Sequence, residues 1–189
     1  MKAHDFLAKL ARSLKARTPD AGPGSELRKA TRWTSYMTER ILDVAGAANA
    51  HVCAKTIPRE NEVHERAEYL FDFTLYKSGW KDYSLPIVLI EHENQWNEAA
   101  FLRDFWKLML GYAPLRVMFG YVKSNENAGS LVGTIRAEAQ TSSWTYPGDT
   151  EDLVLIGHEG MGALDWRILH RAAGSSDWKD SSLPAHTQE

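Results

Sequence analysis

The sequence predicts an α/β fold, in which helices alternate with the strands they cover. Three observations carry this prediction. Residues 68–76 and 85–94 are aromatic and β-branched runs that alternate with a period of two, joined by a turn-rich connection holding Ser78, Gly79 and Ser84. Residues 26–45 and 97–112 carry apolar residues at helical spacing. Further extended runs at 115–122, 152–156 and 163–170 are interleaved with a third helical stretch at 126–140.

Taken in order, residues 5–16 read as a short amphipathic helix with Phe6, Leu7, Leu10 and Leu14 on one side. Thr18 to Gly24 is rich in Pro and Gly and reads as a linker. Ser25 is a suitable N-cap for the next helix, whose stripe is Ala30, Trp33, Met37, Ile41 and Val44 and which Gly46 is placed to close. Glu26 lies one turn before Ala30 on that line, whereas Glu39 turns toward solvent. A short strand at 50–56 and a polar turn at 58–62 lead to the two central strands. The helix at 97–112 has Phe101, Phe105, Leu108 and Tyr112 on its stripe and stops before Pro114. A strand at 115–122 follows, then a weaker helix interrupted at Gly129 and Gly133, then the last two strands. From Gly174 the chain is small and polar and is expected to be mobile. The boundaries are therefore an N-terminal helix and linker (1–24), one domain (25–173) and a tail (174–189).

With 189 residues, 43% of them hydrophobic and 25% charged, the chain has the size and composition of one soluble domain. Its seven Trp are expected in the core. The single Cys53 excludes an internal disulfide, suits a reducing, cytoplasmic compartment and reads as a buried small hydrophobe. No apolar run is long enough to span a membrane, and the basic, amphipathic start lacks the core of a secretory signal. Residues 1–40 carry nine Lys/Arg against four Asp/Glu, beside an acidic remainder, which is compatible with nucleic-acid contact and equally with a solvated helix face.

The acids inside the two central strands demand an explanation. Alternation sends Phe71, Phe73 and Leu75 to one face and Asp72 to the other. On the second strand Ile87, Leu89, Glu91 and Glu93 share a face, opposed by Val88, Ile90 and His92. An unpaired buried ion costs several kcal/mol, whereas strand propensities span only about 1 kcal/mol. If Asp72 neighbours Glu91, their backbones are roughly 5 Å apart. Two like charges there cannot both ionise cheaply, and a divalent cation between them resolves the conflict.

Helix, three strands, helix, strand, with an Asp on the second strand and Glu91-His92-Glu93 on the third, resembles the PD-(D/E)XK nuclease superfamily, the restriction-endonuclease-like fold. The resemblance covers about residues 26–122. It implies a central mixed β-sheet flanked by helices in the core order αβββαβ, and a Mg²⁺- or Mn²⁺-dependent hydrolysis of phosphodiester bonds. Asp72 and Glu91 match the family's acids. Glu93 stands where most members carry Lys, a variant that some active members share. Glu26 matches the acid that many members place on the first helix.

Phosphodiester hydrolysis needs a nucleophilic water, an acceptor for its proton and a counter to charge on the phosphate. Asp72 and Glu91 are the expected ligands, with the His92 backbone carbonyl as a further oxygen and Glu26 binding through water. Glu93 is assigned as an outer ligand or as the base that orients the water. Lys107 is a possible replacement for the missing Lys, although the helical wheel turns it from the apolar stripe toward solvent. DNA is the expected partner, RNA remains open, and family members often pair as homodimers. The rival reading is a nuclease-fold protein that no longer cuts and binds nucleic acid or a protein partner. A third is a hydrolase of small phosphates or a zinc site using His51, His64, His92 or His158. Those histidines lack HxxxH and HExxH spacing and are expected to be satisfied or exposed imidazoles. Gly157 to Gly160 reads as a plain loop, and no P-loop, GxGxxG or GxSxG occurs.

Overall fold

The computed structural model of the chain describes residues 1–16, 30–57, 64–66, 70–79, 84–95, 97–141, 148–159 and 164–183. Its elements run α1 (Ala3–Ala16), α2 (Ala30–Ala47), β1 (Ala50–Cys53), β2 (Phe73–Lys77), β3 (Val88–His92), α3 (Glu98–Met109), β4 (Leu115–Val122), α4 (Asn125–Thr141), β5 (Glu151–Glu159), β6 (Leu164–Arg171) and β7 (Trp178–Ser181). The seven strands form one sheet in chain order. β1, β2 and β3 are an antiparallel meander, β3, β4 and β5 run parallel, and β6 and β7 return antiparallel. The two parallel joins each contain a helix, as parallel neighbours require. The chain is thus an α/β protein with a mixed sheet. No helix among the described residues is long and apolar enough to cross a membrane.

β3 and β4 are buried along their whole length, the pattern of strands covered on both faces. On one face Phe73, Leu75, Val88, Ile90 and Phe119 pack with Phe6 and Leu10 of α1 and with Met37, Ile41 and Val44 of α2. On the other, Leu89, Met118 and Val154 pack with Phe101, Phe105 and Leu108 of α3 and with Leu131 and Ile135 of α4. Gly120 lets α3 lie close to β4, since a Cβ there would collide with the Phe101 ring.

Polar contacts fix the helices. Glu151 accepts the Ala3 N–H at 3.0 Å and pairs with Lys2 at 3.0 Å, so the N-terminus of α1 is held against β5 by a carboxylate that its dipole favours. On the α3 side, Arg116, Asp152 and Arg171 face one another across β4, β5 and β6 in register. Asp152 takes Arg116 Nε at 2.6 Å and Arg171 Nε at 2.5 Å. Arg116 Nη1 then donates to Met109 O at 2.7 Å and Gly111 O at 3.1 Å, capping the end of α3. Asn97 caps the start, accepting the Ala99 N–H at 2.9 Å.

Several expectations need correction. Phe71 packs with Leu89 on the α3 face rather than with Phe73 and Leu75, because regular pairing starts at Phe73 and Leu70 just before it is left-handed (φ 59°). Ile87 likewise precedes β3 and packs on the α1 side. α3 stops at Met109, and Tyr112 leaves its stripe to donate to Asp149 at 2.6 Å. α4 runs through Gly129 and Gly133. Gly157 and His158 are not a loop but strand residues paired with Trp166 and Asp165. The stretch expected to be a polar tail contains β7, whose buried Trp178 supplies the apolar contact that its polar neighbours conceal.

Candidate active site

The antiparallel ladder pairs Phe73 with Ile90. One step outward, Asp72 lies at the carboxyl end of β3, and its Oδ2 accepts the His92 N–H at 2.9 Å. Glu91 sits on the α3 face with 1% exposure. Neither of its oxygens accepts a well-directed hydrogen bond among the described residues. Instead Oε1 forms an ion pair with Lys107 Nζ at 2.8 Å. Carboxyl ends of strands in open α/β sheets are where ligands bind, because the loops beyond them leave a crevice.

Burial and then the Asp72 charge push the Glu91 carboxyl up to about 8, against the pull of Lys107. Burial also raises Asp72, opposed by the His92 N–H and by Lys107. For Lys107 burial works downward, yet its contact with Glu91 leaves the ammonium pKa raised. The wheel placed Lys107 toward solvent, and its side chain is 35% exposed. Its long stem nevertheless carries the charge over the helix flank to the strand end.

Glu93 follows β3 directly and is 8% exposed. Its N–H donates to Phe119 O at 3.0 Å, and its Oε1 accepts the Gln95 N–H at 2.6 Å. Burial, and then Asp104, raise its pKa despite that N–H. Asp104 was not singled out from the sequence. Its position three residues before Lys107 on α3 was the available signal. The contacts thus tie Asp72 to the end of β3, Glu91 to Lys107, and Glu93 to the Gln95 N–H with Asp104 nearby. Glu26 lies outside the described residues.

His92 faces away from Glu91, as alternation requires. Its Nε2 is 2.8 Å from Tyr121 Oη, and burial holds its pKa down to about 3. Beyond it, Asn94 Nδ2 donates to Thr34 Oγ1 at 2.5 Å and ties the strand end to α2.

Asp72 and Glu91 suit a hard cation such as Mg²⁺. They offer oxygen only, and Glu91 Oε2 is buried with no hydrogen-bond partner among the described residues, while Oε1 faces the Lys107 ammonium. Compared with protein-family models, with curated proteins and with solved structures, the chain matches none.

Proposed function

We propose that the chain is a divalent-metal-dependent nuclease of the restriction-endonuclease-like fold, hydrolysing phosphodiester bonds in DNA. The observation that carries this reading is the buried Glu91 carboxylate beside Asp72, with Lys107 2.8 Å away at the carboxyl end of β3. The element order α2, β1, β2, β3, α3, β4 follows the αβββαβ core.

A Mg²⁺ held by Asp72 and Glu91 would supply Lewis acidity toward the phosphate and lower the pKa of water. The remaining work belongs to the chain. Hydrolysis joins a water oxygen to phosphorus and breaks the bond to the departing sugar oxygen. Glu93, its pKa raised by burial and Asp104, is the group to orient that water and accept its proton. Lys107 stands on α3 rather than on β3, yet its ammonium reaches the same acids and can neutralise charge on a phosphate oxygen. The Gln95 N–H and the fixed end of β3 keep Glu93 in place.

One observation favours a non-cutting binder: Lys107 already supplies a cation to Glu91. Incubation with plasmid and single-stranded DNA in Mg²⁺ or Mn²⁺ separates the readings. The nuclease reading expects cleavage that falls by about 100-fold or more in Asp72→Asn and Glu91→Gln. Absence of cleavage, together with no Mg²⁺ or Mn²⁺ heat signal in calorimetry, would establish the binder instead.

A further inference from the structure

A second cluster lies at the edge of the sheet, on β1. Alternation buries Ala50, Val52 and Ala54 in the core on the α1 face. His51 and Cys53 therefore point to the opposite face. There Cys53 Sγ donates to Glu65 Oε2 at 3.6 Å. Glu65 is held in place by its backbone, its N–H donating to Val52 O at 2.9 Å and its O accepting the Ala54 N–H at 3.1 Å. One donor atom each from His51, Cys53 and Glu65 lies within 4.8 Å of the other two. His64 stands beside them, its ring 5.9 Å from that of His51 and its Nδ1 accepting the Val52 N–H at 3.3 Å.

We propose that His51, Cys53 and Glu65 form a zinc site that fastens residues 64–66 to the exposed edge of β1. The donor set selects the metal: thiolate and imidazole are soft or borderline ligands, unsuited to Mg²⁺ and suited to Zn²⁺. Three protein ligands and a water complete a tetrahedron. With metal–ligand bonds of about 2.0–2.3 Å, neighbouring donors in that geometry are roughly 3.5 Å apart. The Cys53–Glu65 separation already meets this, so the imidazole needs only a small movement. Charge closes as well, because one thiolate and one carboxylate neutralise the dication while the thiol proton passes to solvent.

A second, independent observation points to the same place. Thr74 pairs with Cys53 across β1 and β2. Its residue is 2% exposed, and its Oγ1 has no hydrogen-bond partner among the described residues. A buried hydroxyl without an acceptor is costly. The sulfur of its cross-strand neighbour Cys53 is a stronger acceptor as a metal-bound thiolate than as a thiol. Ligation explains why a thiol, a carboxylate and an imidazole converge here.

The site is independent of the nuclease reading, and its test does not depend on cleavage. The full chain, stripped with chelator, is titrated with Zn²⁺ against a chromophoric competitor and separately with Co²⁺. Expected are about one tight zinc per chain, a thiolate-to-cobalt charge-transfer band and a zinc-dependent rise in Tm. Cys53→Ser should remove the band and the Tm rise. Glu65→Gln, outside the core, should weaken zinc binding while leaving the metal-free Tm unchanged, and it serves if Cys53→Ser fails to fold. Asp72→Asn should leave all three signals intact. Zinc affinity equal to wild type in Glu65→Gln, a cobalt spectrum without sulfur character, or no tight zinc at all overturns the proposal.

Discussion

At the scale of single residues, Glu91 concentrates the physics. Its folded pKa of about 8 lies above the value of 4.5 expected in the unfolded chain. Between those pH values the folded state holds the proton more tightly, so the Glu91 contribution to metal-free stability is fully present below about 4.5 and is lost as pH rises toward 8. The raised pKa of Asp72 acts in the same direction. Urea titrations at pH 5 and pH 8 check this. Glu91→Gln should flatten the profile and stabilise the metal-free protein at pH 8 by about 1–2 kcal/mol. If Mg²⁺ binds there, its affinity should climb with pH up to about 8, because binding displaces the Glu91 proton. Lys107→Met tests the partner: it should leave Glu91 protonated to still higher pH and shift any cleavage profile upward with it.

At the scale of elements, the position of α3 decides whether Lys107 and Asp104 reach the end of β3. Two features set it. Gly120 admits the Phe101 ring, so Gly120→Ala should cost about 1–3 kcal/mol by overpacking. Arg116 grips the last carbonyls of α3 and is itself held by Asp152. Asp152→Ala would leave two buried guanidiniums without their shared counter-ion, at a cost of about 3–5 kcal/mol. Thermal denaturation measures both. Asp152→Asn, which preserves shape, should lose less than the alanine and thereby separate the charge from the packing.

At the scale of the whole molecule, α1 closes the core on the face away from the acids. Phe6 and Leu10 are fully buried among residues of α2 and the sheet, and Glu151 anchors the helix start. Phe6→Ala should therefore cost about 3–5 kcal/mol in chemical denaturation. A helix acting only as an appendage would lose far less.

The α/β class, the apolar faces of α2 and α3, the alternation along β3 and the exact span of β4 were legible in the residues, because hydrophobic period records which side of an element is buried; that Asp72 meets Glu91 depended on the β2–β3 register. The sequence also misled in identifiable places. Periodicity fixes the direction in which a side chain leaves its helix but not how far it bends, so Lys107 read as solvated. A strand of four residues carries too short a pattern to register, so β7 was hidden. Only tertiary structure brought residues distant in sequence to one point: Asp104 and Lys107 to the acids, Arg116 and Arg171 to Asp152, and Glu65 to His51 and Cys53. Those meetings depend on how neighbouring elements pack, a property that no single element carries in its own residues.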